Sequence, residues 1–228
     1  MTAADPSISI IIPALNEEAS IGGLLEHLSE LGAEEIVVAD GASSDQTAAV
    51  ASRFARVVRC PANRGAQMNA GARQAAGDVL LFLHADVRIG PGALPAIRAR
   101  MSDAATAGGN LDIRYEGDDL AARVFTAINR WRRWFGVFYG DSGIFCRRSV
   151  FEALGGFPPY PVLEDYAFAR RLRKAGRLAL LDEPIHVSDR RWRRSSILGV
   201  LWSWFWIQAL YLLGVSPHRL AKIYRNVR

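Results

Sequence analysis

The sequence is poor in lysine, in cysteine and in charged residues overall, and each shortage narrows the classes of protein it can belong to. Charged residues make up 22% of the 228 positions and hydrophobic residues 50%, a balance that allows a packed core and excludes wholesale disorder. Cys60 and Cys146 have neither metal-site spacing nor the number a disulfide framework needs, which favours a reducing compartment. Only Lys174 and Lys222 of the 28 basic residues are lysines, so the net charge of +5 comes from arginine, whose planar fork suits phosphate and carboxylate groups. No nucleic-acid recognition motif accompanies this charge, and we expect no nucleic-acid partner.

One stretch without any charged residue, Ile197–Val215, stands near the end of the chain. Its length is close to the roughly 20 residues that span a bilayer, so it could cross a membrane, lie on one, or form an interface with a second copy. Four arginines precede it and a basic segment follows, which fits a helix on an anionic surface. The N-terminus lacks the pattern of a signal peptide. We therefore expect a cytoplasmic protein, with contact at the inner face of the membrane as one option, divided into an α/β domain over residues 1–188 and a helical tail over residues 189–228.

The first half of the chain alternates β-rich runs with helical patterns. The predicted elements are, in order, a strand at Ser7–Ile12, a helix at Glu17–Leu31, a strand at Glu35–Ala39, a helix at Asp45–Phe54, a strand at Arg56–Arg59, a helix at Gln67–Ala76 and a strand at Val79–Leu83. This order implies an α/β fold with a mostly parallel sheet flanked by helices. Ligands bind beyond the carboxyl ends of such strands, so the polar loops after the first, second and fourth strands should meet on one rim.

The second half is less regular. Helical patterns are predicted at Pro91–Met101, Asp119–Phe138 and Glu164–Ala175, and strands at Ala107–Tyr115 and Ser142–Arg147. The Asp119–Phe138 segment is amphipathic and carries arginines among tryptophans.

Acidic residues stand where the predicted strands end. Asp40 follows an apolar run and has no local structural task, which favours contact with a nucleoside, whereas Asp45 is better explained as a helix cap. His84 and Asp86 are two positions apart at the end of a strand, so both can face one site and hold a divalent ion that bridges two phosphates. A turn aspartate beside a satisfied histidine is the competing interpretation.

Two later segments offer further candidates. Glu164 and Asp165 open a helix, where acidic residues also occur simply to complement the helix dipole; as functional groups, they would take a proton from an acceptor hydroxyl. Gly140 and Asp141 form a polar turn that could contact the donor or the acceptor, or be only a turn.

Read together, these segments resemble family 2 glycosyltransferases of the GT-A fold, over roughly residues 7 to 182. The matching segments are Ile-Ile-Pro-Ala-Leu-Asn-Glu-Glu at 11–18, Val-Ala-Asp-Gly-Ala-Ser-Ser-Asp-Gln-Thr at 38–47, Asn63-Arg64-Gly65 with Gln67, Leu83-His84-Ala85-Asp86, Arg147-Arg148-Ser149 through Phe157, and Glu164-Asp165 with Arg171-Leu172. The tail resembles a small bacterial subgroup of the family whose acceptor is unassigned.

The resemblance implies a role for each candidate. It implies an inverting hexosyltransferase-like enzyme with Mn²⁺ or Mg²⁺ as cofactor and a nucleotide-sugar donor. It leaves the acceptor open, and the apolar Ile197–Val215 segment favours a lipid or other apolar one. The implied roles are nucleotide binding for Pro13, Ala14, Glu17, Asp40, Arg64 and Gln67, metal binding for Asp86 with His84, catalysis for Asp165 as base with Glu164 in support, and donor or acceptor contact for Gly140, Asp141, Arg190, Arg191 and Trp192.

Two positions depart from the family pattern. Gly41 stands where members often have a second aspartate, and His84 stands where the first aspartate of the Asp-x-Asp signature is usual. The second departure shifts the metal site toward ions that accept imidazole. A nucleotidyltransferase, which needs a glycine-rich loop after the first strand, and a degenerate nucleotide-sugar-binding or scaffold protein are the alternatives.

Overall fold

The computed structural model describes residues 5–117, 120–188 and 197–225, which form one eight-stranded sheet with helices around it. The strands are β1 Ile8–Ala14, β2 Glu35–Asp40, β3 Arg56–Arg59, β4 Val79–Phe82, β5 Val87–Ile89, β6 Thr106–Tyr115, β7 Ile144–Arg147 and β8 Arg177–Val187. The helices are α1 Glu18–Glu30, α2 Thr47–Ala51, α3 Arg64–Gln74, α4 Ala93–Met101, α5 Leu120–Trp134, α6 Arg148–Ala153, α7 Glu164–Ala175, α8 Ile197–Leu212 and α9 Pro217–Arg225, with a single 3₁₀ turn at Gly140–Ser142.

The N-terminal half of the sheet is parallel. β3, β2, β1 and β4 lie side by side in that order, and the last residues of β1 and β2, Ala14 and Asp40, are direct neighbours. All four residues of β4 are buried, as expected for a strand covered on both faces. The predicted mostly parallel sheet is therefore confirmed, and the loops after β1, β2 and β4 meet on one rim.

The C-terminal half mixes strand directions. β7 lies antiparallel between β4 and β6, while β8 runs parallel to β6 and carries β5 at the edge. Because β7 is antiparallel to β4, its first residue, Ile144, pairs with Phe82 at the end of β4. The 3₁₀ turn that precedes β7 thus arrives at the same rim as His84.

Side chains of β1 divide between two apolar layers. Ile10 and Ile12 pack with Leu25 of α1 on one face of the sheet, and Ile11 packs with Met68 of α3 and Phe168 of α7 on the other. This alternation follows from the two-residue period of a strand. Each fully buried isoleucine stabilises the fold by about 1.5 to 3 kcal/mol relative to exposure, so the rim stands on a rigid base.

Most predicted elements are present, with shifted ends. The helix at Glu164–Ala175 is confirmed as predicted, but the helix predicted at Asp45–Phe54 is shorter and begins at Thr47. The N-cap residue of this helix is Gln46, not Asp45 as predicted, but Asp45 still accepts a hydrogen bond from the Thr47 amide at 2.9 Å. No strand was predicted for β5 or β8.

The C-terminal helices pack against the α/β body through a few residues. In α8, Ile207 is buried and Gln208 accepts a hydrogen bond from the Tyr139 hydroxyl; in α9, Leu220 is fully buried. Among the residues the structure describes, no helix is long and apolar enough to span a bilayer. Arg190, Arg191 and Trp192 lie outside the described residues, and the division of the chain at residue 188 stays a prediction.

Candidate active site

A cavity of about 690 Å³ opens at the rim where β1 and β4 end. Its wall includes eight of the residues predicted for the site, namely Pro13, Glu17, Arg64, Gln67, His84, Asp86, Asp141 and Asp165. Four other predicted residues, Ala14, Asp40, Gly140 and Glu164, are buried beside this wall without lining it. The structure therefore brings the predicted donor loops and the predicted base to one place.

Gln67 connects the two strands beneath the donor side of the cavity. Its buried side-chain amide donates to the carbonyl oxygens of Ala14 at 2.8 Å and Ala39 at 3.0 Å, at the ends of β1 and β2. A side chain on Gly41 would stand 2.9 Å from Nε2 of Gln67, so a glycine is required next to this bridge. Gln67 thus holds the rim in shape, and its amide group is committed to the backbone.

Asp40 is almost completely buried at the end of β2. Both of its carboxylate oxygens lie 3.3 Å from the Ser43 amide, which donates to them. Ala42 between them adopts a left-handed backbone, with φ of 63°, a conformation that costs energy for a residue with a side chain and that clusters at functional sites. Asp40 therefore supports a strained loop at the rim.

Asn16 fastens the loop after β1 to the loop after β2. The Asn16 N–H donates a hydrogen bond to Oγ of Ser43 at 3.0 Å, and its side-chain oxygen accepts one from the Ser44 amide at 2.9 Å. Asn16 also has a positive φ of 56°, which asparagine tolerates better than most residues. The two loops consequently form one unit.

Asp165 is held in place from two sides. The Gly140 amide donates to its Oδ2 at 2.8 Å, and the Tyr166 amide donates to its Oδ1 at 2.7 Å. A methyl group on Gly140 would stand 2.9 Å from Nε2 of His84 and 3.1 Å from Oδ2 of Asp165. His84 and Asp165 therefore approach each other across Gly140, which goes beyond the dipole role that the start of a helix alone would give Asp165.

Glu164 is buried without lining the cavity and forms an ion pair with Arg64, which does line it. Burial raises the pKa of Glu164, and the neighbouring Asp165 raises it further, while Arg64 offsets part of the effect. Burial lowers the pKa of Arg64, but the attraction of Glu164 and Asp165 outweighs this and holds that pKa above its ordinary value. The pair fixes the start of α7 to the start of α3.

The opposite wall of the cavity comes from residues that the sequence analysis did not single out. They are Tyr115, Asn129, Arg132, Tyr139, Ile207 and Ala221. The sequence signal for Arg132 is the mixture of arginine and tryptophan in the amphipathic segment Asp119–Phe138, which does not by itself predict a place in the site.

Buried Asp112 anchors α5, which supplies Asn129 and Arg132 to this wall. Its Oδ1 accepts a hydrogen bond from buried Arg133 at 2.8 Å, its Oδ2 accepts one from Arg130, and Arg133 also donates to the Leu181 carbonyl. These contacts join α5 to β6 and β8.

Comparison with known proteins identifies the family. Residues 9–155, well over half of the chain, match the family described as Glycosyl transferase family 2. The chain belongs to this family. Membership of this family favours glycosyl transfer over the nucleotidyl transfer of the alternative interpretation.

Two curated relatives illustrate the range of this family. The chain is 30% identical over 206 residues to a PGL/p-HBAD biosynthesis glycosyltransferase of Mycobacterium bovis, covering 81% of this chain and 75% of that protein. It is 32% identical over 176 residues to an undecaprenyl-phosphate 4-deoxy-4-formamido-L-arabinose transferase of Pseudomonas aeruginosa, covering 64% of this chain and 49% of that one. The chain spans about half the length of the first curated relatives it matches.

The fold also has solved counterparts. The structure of glucosyl-3-phosphoglycerate synthase from Mycobacterium tuberculosis with Mn²⁺, UDP and glucosyl-3-phosphoglycerate superposes with a TM-score of 0.59 at 24% identity, over 79% of this chain and 71% of that one. This likeness confirms the GT-A fold predicted for the glycosyltransferase.

The donors that could hold a divalent ion are few. His84 and Asp86 both line the cavity, Asp86 with its side chain exposed. Within the described parts of the chain, no three histidine, cysteine, aspartate or glutamate side chains lie close enough together to enclose an ion. The residues present fit an ion that takes one imidazole and one carboxylate from the protein and its other ligands from the phosphates of a donor, and they do not fit a closed structural site.

Proposed function

We propose that this glycosyltransferase moves a sugar from a nucleotide-diphosphate donor to a lipid-linked or otherwise apolar acceptor, with inversion at the anomeric carbon. The observation that supports this most is the position of Asp165, whose carboxylate lines the cavity opposite His84 and is held by the Gly140 and Tyr166 amides. One carboxylate fixed in this way is suited to act as a general base.

The reaction would proceed by a single displacement. Asp165 removes the proton of an acceptor hydroxyl, the hydroxyl oxygen forms a bond to the anomeric carbon, and the bond from that carbon to the diphosphate oxygen breaks. The proton ends on Asp165 and the electron pair on the departing nucleoside diphosphate. Glu164 supports Asp165 by fixing the start of α7 through Arg64.

The donor would lie against the loops after β1, β2 and β4. Pro13, Glu17 and Arg64 would contact the nucleotide, while Ala14, Asp40 and Gln67 shape the floor beneath it. A divalent ion held by His84 and Asp86 would neutralise charge on the diphosphate. Mn²⁺ in the mycobacterial synthase that shares this fold supports the choice of metal.

Two kinds of evidence favour an apolar acceptor and a position at a membrane surface. The Pseudomonas relative is named for an undecaprenyl-phosphate substrate. Large apolar side chains are exposed on α5 and α8, and α9 is basic, with no acidic residue in any of these three helices. Exposed aromatic residues beside basic ones are typical of helices that rest on anionic lipid. Pairing of two copies of the chain through the same exposed residues is the alternative, and sedimentation with vesicles distinguishes the two.

The donor half of the proposal is tested by nucleotide binding. Melting temperatures measured with UDP-, GDP- and dTDP-sugars, with and without Mn²⁺, should show that the sugar nucleotides of one nucleobase raise the melting temperature, and raise it more when the metal is present. Asp86→Ala should abolish the effect of metal. Absence of any metal effect in the unaltered enzyme would contradict the metal-dependent mechanism.

The catalytic half is tested by slow transfer of the sugar to water. Asp165→Asn should lower the rate of nucleoside diphosphate release at least about a hundredfold and leave donor binding unchanged. Early ¹H NMR spectra of the released sugar should show the anomer opposite to that of the donor. Release of the same anomer, or full activity of Asp165→Asn, would overturn the assignment.

A further inference from the structure

The wall of the cavity opposite the donor loops combines apolar residues with one cation. Ile207 of α8 and Ala221 of α9 line it together with Tyr139 and Arg132. Ile207 is itself largely buried. A ligand that met this wall would need both an apolar part and a group that accepts hydrogen bonds from a guanidinium.

The two described cations on the cavity wall are not equivalent. Arg64 is bound to Glu164, so its charge is balanced within the protein. Arg132 forms no ion pair with any residue that the structure describes, although it lies on the same cavity. Of these two cations, Arg132 is therefore the one that no ion pair within the described residues offsets, while Asp141 and Asp165 line the same cavity.

The partner of Arg132 does not neutralise it. The guanidinium donates a hydrogen bond to the Tyr139 hydroxyl and lies 4.8 Å from the centre of the Tyr139 ring. Burial raises the pKa of Tyr139 well above its ordinary value, more than the nearby Arg132 lowers it, so this hydroxyl stays protonated and donates onward to Oε1 of Gln208. Arg132 is thus held in one orientation through Tyr139 and Gln208 of α8.

Arg132 is linked to the base through the neighbouring residues Tyr139 and Gly140. Tyr139, which holds it, directly precedes Gly140, whose amide holds Asp165. An acceptor bound at Arg132 would consequently lie on the side of the cavity from which Asp165 is reached, with its apolar part toward Ile207 and Ala221.

We propose that Arg132 binds an oxyanion, a phosphate or a carboxylate, on the acceptor, which is therefore an anionic amphiphile rather than a neutral sugar or a neutral lipid. This assignment rests on the proposed glycosyl transfer and names the class of acceptor for it. Planar guanidinium groups bind such oxyanions through paired hydrogen bonds, and α8 and α9 provide the apolar surface beside it.

The test uses dodecyl phosphate as the probe, with dodecyl maltoside as an uncharged amphiphile of the same chain length and inorganic phosphate as the anion without a chain. Binding below the micelle concentration is measured by calorimetry on the full chain. The unaltered enzyme should bind dodecyl phosphate more tightly than either of the other two. Arg132→Gln should weaken that binding about 10- to 100-fold, in line with the loss of a charged hydrogen-bonded pair, and Arg132→Lys should retain part of it.

Arg123→Gln is the matched control, because Arg123 is exposed on the same helix and does not line this cavity. It should bind dodecyl phosphate like the unaltered enzyme. Equal loss in Arg123→Gln and Arg132→Gln would mean that general charge on α5 accounts for binding, and would overturn the proposal. Inorganic phosphate bound as tightly as dodecyl phosphate would overturn its apolar half.

Nucleotide binding separates this proposal from the function it rests on. Arg132→Gln should bind the preferred nucleoside diphosphate with Mn²⁺ as the unaltered enzyme does, whereas Asp86→Ala should lose the metal effect and keep dodecyl phosphate. If Arg132→Gln instead weakens nucleotide binding and spares dodecyl phosphate binding, Arg132 belongs to the donor side and the assignment is wrong.

A second variant serves if Arg132→Gln does not fold. Tyr139→Phe removes the hydroxyl that orients Arg132 and should weaken dodecyl phosphate binding by a smaller factor. Unchanged dodecyl phosphate binding in Tyr139→Phe would also overturn the proposal.

Discussion

Gly140→Ala is the smallest change that tests whether His84 and Asp165 work as one unit. Gly140 does not have a positive φ, so alanine is permitted by the backbone, and the effect should come only from what its methyl group meets. That methyl group would stand 2.9 Å from Nε2 of His84 and 3.1 Å from Oδ2 of Asp165.

The expected magnitude follows from these distances. Ordinary contacts begin near 3.4 Å, so Nε2 of His84 has to retreat by about 0.5 Å and Oδ2 of Asp165 by about 0.3 Å, the differences between 3.4 Å and the distances of 2.9 and 3.1 Å. A displacement of 1 Å at a reacting centre costs about a hundredfold in rate, and half of it should cost about tenfold. Overpacking of a buried site costs about 1 to 3 kcal/mol of stability, which leaves a folded enzyme to assay.

The assay is the release of nucleoside diphosphate from the donor that the melting experiments select. Gly140→Ala should lower kcat about tenfold with little change in donor affinity. Gly23→Ala is the matched control, because a methyl group there meets only Arg88 at 3.6 Å, and it should be fully active. In an Asp165→Asn background, Gly140→Ala should add almost nothing, since residues that act as a unit are not additive. A full tenfold loss on top of Asp165→Asn would refute the idea that Gly140 acts through the base.

Two further predictions concern the supports of the site and a third concerns the exposed face of α8. Asp112→Asn should lower the free energy of unfolding by about 3 to 5 kcal/mol, because it removes the close, buried charge partner of Arg133 and leaves only exposed Asp182 at 3.9 Å. A loss of less than about 1 kcal/mol in urea unfolding would mean that this pair behaves like a surface one. The pKa of Glu164 is raised in the folded state, so its protonation contributes stability that is present below its ordinary pKa and is lost as pH rises through the raised value. The unfolding free energy of the unaltered enzyme should therefore fall relative to that of Glu164→Gln as pH increases from about 4.5. A rise in this difference would contradict the direction of the shift. The double variant Trp202→Ser and Phe205→Ser, at two exposed positions of α8, should reduce sedimentation with vesicles of anionic lipid by about tenfold or more. Unaltered vesicle binding together with a change in the oligomeric state of the protein without vesicles would instead identify an interface between two copies.

The donor side of the site could be predicted because its information is local. Each of its loops follows a short apolar run, and parallel strands deliver their carboxyl ends to one edge. Asp40, His84 and Asp86 were found in this way, and the structure brings His84 and Asp86 to one cavity and Asp40 to the end of β2. The hydrogen bonds of Gln67 to two strand ends could not be predicted, since nothing in the sequence says which backbone carbonyls a buried amide will meet.

The opposite side could not be predicted because it depends on contacts between distant segments. Arg132, Tyr139 and Gln208 form one chain of hydrogen bonds although Tyr139 and Gln208 are 69 positions apart. β8 could not be predicted for a different reason. Its buried residues Ala179, Leu181, Ile185 and Val187 do alternate, but the polar and proline residues at 182–184 interrupt the apolar pattern, beside the register shift in its pairing with β6.

The direction of β7 decides whether Asp165 can face His84. Because β7 runs antiparallel to β4, its first residue pairs with Phe82 and brings Gly140 to the rim; a parallel β7 would deliver Gly140 to the opposite edge of the sheet. Four residues of strand do not specify their own direction, but the residue after them does, since Arg148 donates to the carbonyl oxygens of Gly77 at 2.8 Å and Ala75 at 2.9 Å, just before β4 begins. Arg148 does not line the cavity, but it fastens the last residues of β7 beside the start of β4. The first residues of β7, and Gly140 before them, are thereby left at the rim, so Arg148 contributes to the position of Asp165.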